Sequence, residues 1–178
     1  MPIIKWQLDP GHSMIQFKVK HMMVSNIVGE FQKFEGSLET KDYDFTTAKA
    51  RFSADVTSLS TKLQSRDDML KGESFFDVLH YPKIIFESTQ ITNKGNDEYE
   101  MAGNLTIRGT TNLVTLRVDG GSLMKDNLSG VERAGFEITG KINRFDFGLK
   151  YNATLETGAV IAGKDVNLDL NVEVFHKS

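Results

Sequence analysis

Val166-Asn167-Leu168-Asp169-Leu170-Asn171-Val172-Glu173-Val174 alternates without an error: each even-numbered residue is aliphatic and each odd-numbered one polar. Successive side chains leave a β-strand on opposite sides, so this stretch predicts a strand with one buried face and one wet face. The pattern recurs upstream. Ala48, Ala50, Phe52, Ala54 and Val56 alternate with Lys49, Arg51, Ser53 and Asp55. Tyr99, Met101, Gly103, Leu105 and Ile107 form another inward row, followed by Val114, Leu116 and Val118 and by Ala134, Phe136 and Ile138. Near the start, Ser13, Ile15, Phe17, Val19 and His21 share one face, and Met14, Gln16, Lys18 and Lys20 the other.

Two runs break parity. Phe31, Phe34, Gly36 and Leu38 change faces within one run, which predicts a bulge or sharp bend helped by Gly29 and Gly36. A second slip lies between Phe86 and Ile91. Asp9-Pro10-Gly11, Lys94-Gly95-Asn96-Asp97, Arg108-Gly109-Thr110 and Asp119-Gly120-Gly121 read as turns. About eight one-sided strands joined this way predict an all-β, mostly up-and-down antiparallel sheet. Such a sheet hides its apolar face by closing, so the expected fold is an eight-stranded antiparallel barrel, one domain over residues 1–178.

One segment departs from the alternation: Ser65 to Pro82, SRDDMLKGESFFDVLHYP. Ser65 suits a helix N-cap, Asp67 and Asp68 suit the positive end of the helix, and Gly72 suits its stop. Ser74 can cap a second short helix through Phe75, Phe76 and Val78, and Tyr81-Pro82 forces extended chain. A short helical insertion over residues 65–80 is therefore expected to plug one end of the barrel or gate a cavity.

Composition narrows the function. The net charge is −3 and the lysines and arginines are scattered, which argues against a nucleic-acid groove. The chain has no cysteine, so disulfides, thiolate nucleophiles and Cys-based metal sites are excluded. The four histidines show no metal spacing, and no GxSxG, P-loop or GxGxxG motif appears. No metal site, cofactor or catalytic residue is expected, and no apolar span reaches membrane length. MPIIKWQLDP is too short and too soon polar for a signal peptide. The expected location is cytoplasmic if Met1 is the native start, and periplasmic or secreted if a signal was removed.

Twelve phenylalanines and seven methionines are many for 178 residues. Most must pack a core, yet an eight-stranded barrel can leave room for one small ligand. Phe and Met linings suit a long flexible apolar chain. His21 falls on an inward face; it reads first as a buried, hydrogen-bonded histidine and second as a polar anchor in a cavity. Arg66 and Asp67 read first as a pin holding the insertion and second as contacts for a polar head group.

These residues resemble the YceI-like family of lipocalin-like, polyisoprenoid-binding proteins. The likeness runs from Trp6-Gln-Leu-Asp9-Pro10-Gly-His12-Ser13 through Gly29-Glu-Phe31-Gln-Lys-Phe34-Glu-Gly36. It continues over Ser58-Leu-Ser-Thr61, Arg66-Asp67, Phe75-Phe76-Asp77 and Tyr81-Pro82, then Gly103-Asn-Leu105-Thr-Ile-Arg108-Gly109-Thr and Asn143-Arg144-Phe-Asp-Phe147-Gly148. The resemblance implies a long barrel lumen that binds, stores or transports an isoprenoid, such as a quinone or polyprenyl phosphate, or another amphiphile. It also implies a non-enzymatic role and pairing as a homodimer. Parity and resemblance together nominate Phe17, His21, Phe31, Phe52, Arg66, Met69, Phe75, Phe76, Phe86, Met101, Leu105, Phe136 and Leu170 as ligand-binding. Two alternatives stand beside this: an enzyme using His21 with Asp67 or a tyrosine, and a stress-response interaction protein whose barrel is filled.

Overall fold

The computed structural model describes residues 2–22, 24–150 and 162–177. These residues form the strand segments β1 (Ile3–Leu8), β2 (Met14–His21), β3 (Ser25–Phe31), β4 (Phe34–Lys41), β5 (Asp44–Asp55) and β6 (Leu59–Ser60). A single α-helix among them, α1 (Gln64–Lys71), precedes β7 (Lys83–Gly95), β8 (Glu98–Ile107), β9 (Thr110–Lys125), β10 (Val131–Asn143) and β11 (Ala162–Lys177).

The segments assemble into a closed eight-stranded antiparallel barrel. β1 and β2 are two halves of one long strand, interrupted by the 3-10 turn Pro10–His12. Both halves lie along the same edge of β11, with Gln7 opposite Phe175 and Ile15 opposite Leu170. β3 and β4 form the next strand, bent at Gln32-Lys33, and β5 and β6 the third, bent by the 3-10 turn Val56–Ser58. Neighbouring bends are bonded: Lys33 N–H donates to Ser58 Oγ at 2.9 Å, and Asp55 N–H to Lys33 O at 2.9 Å. From β7 to β11 the chain meanders. The 16-residue strands β9 and β11 extend roughly 50 Å, which makes the barrel long.

The two parity breaks correspond to this geometry. The first is the bend between Phe31 and Phe34, and the second is a register shift between Ser88 and Gln90. Gly29 plays a different part from the one expected. It lies within β3 opposite Phe17, and a Cβ there would come within 2.2 Å of Phe17 Cζ. The missing side chain lets the aromatic ring lie across the neighbouring strand. Gly103 receives the Phe86 ring in the same way, at 2.3 Å.

The turns divide similarly. Asn96-Asp97 and Arg108-Gly109 have positive φ at both positions and make tight hairpins. Asp9-Pro10-Gly11 is the interruption between β1 and β2 rather than a hairpin. Asp119-Gly120-Gly121 is no turn; it lies inside β9 at a register shift against β10 between Ala134 and Phe136. Gly120 has φ +125, which strands of L-residues avoid, so the run reads locally as a turn while cross-strand pairing carries it through.

The insertion holds one helix, not two. The N-cap is Leu63, which makes no capping bond, and Ser65 falls inside the first turn. Gly72 ends the helix in an extended conformation. Residues 73–80 are a series of turns, with Phe76 N–H donating to Leu70 O at 2.9 Å and Asp77 N–H to Gly72 O at 2.8 Å.

The outer barrel surface is polar and carries cross-strand ion pairs such as Arg51–Glu87 at 3.1 Å and Arg117–Glu98 at 2.8 Å. Among the described residues no helix is long and apolar enough to cross a membrane.

Gly29→Ala is expected to destabilise the barrel by about 1–3 kcal/mol through overpacking against Phe17. Gly135→Ala, where an added Cβ meets nothing within 4 Å, is expected to be neutral or stabilising by about 0.5 kcal/mol. Urea denaturation of the two variants checks this; equal losses would refute the assigned role of Gly29.

Candidate functional site

A cavity of about 230 Å³ runs inside the barrel. Its wall is the set of inward rows read from the sequence. The structure places Phe17, Phe31, Phe52, Phe76, Phe86, Met101, Leu105, Phe136 and Leu170 along it. Aliphatic residues from β9, β10 and β11 complete the wall, including Leu116, Ile138 and Val166. The cavity lies slightly below the usual size of small-molecule pockets, about 300–1,000 Å³. Its lining is almost wholly apolar, which suits an apolar occupant better than a polar one.

The two ends of this lumen differ. One is plugged by aromatic packing. Trp6 is 1% exposed, donates from Nε1 to Thr40 Oγ1 at 3.0 Å, and packs in a tilted arrangement against Phe45 at 5.6 Å between centroids. Phe45 in turn meets Phe136 edge-on at 5.2 Å. Behind the plug, His176 packs edge-on against Trp6 at 4.4 Å, and its Nε2 lies 3.5 Å from Glu132 Oε1. Tyr43 donates its hydroxyl to the same Glu132 oxygen at 2.7 Å, which raises the phenol above its ordinary pKa.

The other end is covered by the 61–82 segment, a lid built from one helix and turns. Phe76 reaches down from it into the lumen and packs edge-on against Phe31 at 6.4 Å. The lid is held by Thr61. Asp67 Oδ1 accepts from Thr61 N–H at 2.8 Å and from Thr61 Oγ1 at 2.5 Å. Arg66 donates from Nε to Thr61 Oγ1 at 2.7 Å and from Nη2 to Thr61 O at 2.8 Å. Arg108, on the β8–β9 turn, donates to Glu73 O and to Gly148 O, and Gly109 leaves room for the Tyr81 ring.

Four nominated residues stand elsewhere. Arg66 spends its donors on Thr61, so it pins the lid rather than lining the lumen. Met69 is 41% exposed, because the helical period puts Asp67 and Leu70 on the inner face and turns Met69 about 200° away from Asp67. Phe75 packs against Phe76 at 5.1 Å and lies under the Arg144 guanidinium at 5.6 Å, one layer behind the wall. His21 ends β2 at the rim, paired with Ser25 and Ala162, beyond the reach of the lumen. Among the described residues its side chain makes no ion pair or hydrogen bond with a carboxylate.

One residue gained a place that the sequence reading had not assigned. Arg144 is 2% exposed and borders the lumen at the lid end. Among the described residues it donates to the main-chain carbonyls of Leu149 at 2.6 Å, Gly163 at 2.8 Å and Ala162 at 3.2 Å. Phe145 and Phe75 flank its guanidinium, and burial lowers its pKa. The signal was present, since Arg144 continues the even-numbered inward row of Phe136, Ile138 and Ile142. Among the described residues no three His, Asp or Glu side chains converge as metal ligands.

An apolar eight-stranded lumen, plugged by tryptophan at one end and lidded at the other, coincides with a family model. Residues 6–174 match the YceI-like domain. This chain belongs to the YceI-like family. UPF0312 protein SA2479 of Staphylococcus aureus strain N315 is 38% identical over 165 residues, spanning 93% of the chain and 94% of the relative. BcnA of Burkholderia cenocepacia superposes with a TM-score of 0.78 at 23% identity, covering 93% of this chain and 98% of that one. A polyisoprenoid-binding domain from Saccharophagus degradans superposes with a TM-score of 0.67 at 13% identity, covering 95% and 97%. At these identities the two superpositions establish a shared YceI-like fold. The lid segment, with its Arg66-Asp67 pair, lies within the matched YceI-like domain.

Asp67→Ala leaves the Thr61 N–H and hydroxyl without their buried acceptor, a cost of about 1–3 kcal/mol. The expected result is loss of hydrogen-exchange protection across 61–82 while the strands stay protected; equal deprotection of the whole barrel would show that the lid is not a separate unit.

The lid also carries a pH-dependent contact. His80 Nδ1 lies 2.9 Å from both oxygens of Asp77, and this bond raises the imidazole above its ordinary value of 6.5. A pKa raised by folding favours the native state below the unfolded value, and that gain disappears as pH rises through the folded value. An NMR titration of His80 is expected to give a midpoint above that of the unfolded chain, and Asp77→Asn to bring it back.

Proposed function

We propose that this protein binds a single long-chain amphiphile, an isoprenoid such as a quinone or polyprenyl phosphate, and carries or stores it without chemical change. The observation that supports the reading most directly is the lumen itself. Its wall is apolar along the barrel, and its polar boundary at the lid end is Arg144. Each buried methylene of a ligand gains about 0.8 kcal/mol, so a polyprenyl chain needs no specific polar contact to be held. Family membership and the fold shared with a polyisoprenoid-binding domain support the same class of ligand.

The chain end of the ligand would point toward the Trp6 plug and its head group toward the lid, where the Arg144 charge favours an electron-rich carbonyl or phosphate. Phe17, Phe31, Phe52, Phe76, Phe86, Met101, Leu105, Phe136 and Leu170 are the proposed contacts. A binding role is favoured over catalysis by membership of the YceI-like family and by the fold shared with a polyisoprenoid-binding domain.

Native mass spectrometry of the purified protein, alone and after incubation with ubiquinone or a polyprenyl phosphate, tests this. A one-to-one complex is expected. Ala50→Phe, which puts a ring into the middle of the lumen, is expected to weaken binding by about tenfold or more with the β circular-dichroism spectrum retained. Phe76→Ala is expected to speed ligand release. Failure to take up either lipid, or unchanged affinity in Ala50→Phe, would refute the lumen as the site.

A further inference from the structure

We infer that the ring pair Phe45–Phe136 is the floor of the lumen, and that Phe45 sets the longest chain the barrel accepts. The inference rests on the lipid-binding reading, since it names which chains the same lumen takes. Phe45 lines the cavity and also packs against Trp6, at 5.6 Å between centroids. Phe136 lines the cavity too and meets Phe45 edge-on at 5.2 Å. The two rings come from opposite walls: β7, β8 and β9 lie between their strands on one side of the barrel, and β11, β1 and β4 on the other. Their contact therefore crosses the lumen and closes it at that height. Trp6 and Ala134, each 1% exposed, fill the space beyond.

Phe45 does not reach this place by plain alternation. The inward row of β5 runs on even positions, Ala48, Ala50, Phe52 and Ala54, and Phe45 is odd. A bulge makes the correction. Opposite Thr40 of β4, β5 holds Phe45, Thr46, Thr47 and Ala48, between the pairs Lys41–Asp44 and Glu39–Lys49. The bulge is tied down by its own side chains. Asp44 Oδ1 accepts from Thr46 N–H at 3.0 Å, and Thr47 Oγ1 accepts from Lys41 N–H at 2.8 Å and donates to Asp44 O at 2.6 Å. Bulges of this kind re-aim a side chain that parity would send elsewhere. On the facing wall the bulge of β9 against β10 lies between the pairs Leu123–Ala134 and Gly120–Phe136. Gly121, inside it, leaves room for both rings: a Cβ there would come within 3.3 Å of Phe136 Cε1 and 3.5 Å of Phe45 Cδ2. Two bulges at one height thus bring two rings together across the lumen.

The consequence for a bound chain is a length limit. Each isoprene unit that finds apolar wall gains about tenfold or more in affinity, and a unit that meets the floor gains nothing. Taking the Phe45 ring away opens on the order of 5 Å toward Trp6, about the length of one isoprene unit. That space joins the lumen rather than forming a sealed void, because Phe45 borders the lumen directly.

Native mass spectrometry of the whole protein tests the inference, with an equimolar mixture of ubiquinones of increasing prenyl length offered from detergent solution. The readout is the relative occupancy of each length. In wild type, occupancy is expected to rise with length and to stop rising at a cut-off. Phe45→Ala is expected to move the cut-off longer by about one isoprene unit, with about a tenfold gain in relative occupancy of the next length. Phe45→Leu, which keeps more of the buried volume and secures the fold, is expected to move it in the same direction by less. Leu116→Ala removes volume from the middle of the wall and is expected to change occupancy at every length alike. A wild type without a cut-off, a cut-off unmoved in both Phe45 variants, or one that moves as far in Leu116→Ala overturns the floor and leaves the lumen as the binding site. A wild type that takes up no ubiquinone of any length overturns the lipid-binding reading and the floor with it.

Discussion

Backbone pairing between residues 7–21 and 162–175 closes the sheet, and everything functional in the molecule depends on that seam. An open eight-stranded sheet would leave two edges of unpaired amides and carbonyls and an apolar face in water. Closure removes both edges and turns the apolar face into a lumen wall. The seam also explains why the first strand bends. To follow β11 over its full length, the N-terminal strand must correct its register at Pro10–His12, and the correction is tied down by Glu173 N–H donating to Ser13 Oγ at 3.0 Å.

The lumen stays open because its two ends are filled by different means. At one end the aromatic rings of Trp6, Phe45 and Phe136 pack against each other, locked by the Trp6–Thr40 bond. At the other the cover is a short segment held through a few polar contacts on Thr61 and the Arg108 donors. Rings meshed between strands move only with the barrel, whereas a turn segment pinned at few points opens at lower cost. That asymmetry gives the barrel one end closed by meshed rings and one end covered by a turn segment. The buried Arg144, bonded to carbonyls of Leu149, Ala162 and Gly163, frames the second end.

Much of this was legible before any coordinates. The inward rows, the bend at Phe31–Phe34, the slip before Ile91 and the resemblance to YceI-like proteins all come from local alternation and ordered motifs. What the alternation could not supply was depth along the barrel. His21 has correct inward parity, yet lies two inward positions past Phe17, the last residue of its row on the lumen. Met69 is apolar, but adjacent helical residues diverge by about 100°, so Leu70 packs on the core and Met69 faces out. Gly29 looked like a bend and is a seat for the Phe17 ring. Asp119-Gly120-Gly121 looked like a turn and is a bulge, because cross-strand bonds to β10 outweigh the local preference of two glycines.

The amino-acid order by itself determined which residues face inward, how many strands there are and where the one non-strand insertion falls, since each follows from spacing within a few residues. Only the tertiary structure decided which inward residues meet a ligand-sized space and which fill an end. That depends on where the barrel is crossed by rings from distant strands and by the lid, such as Phe45 against Phe136 and Phe76 against Phe31. Period two carries the face of a residue but not its height in the barrel.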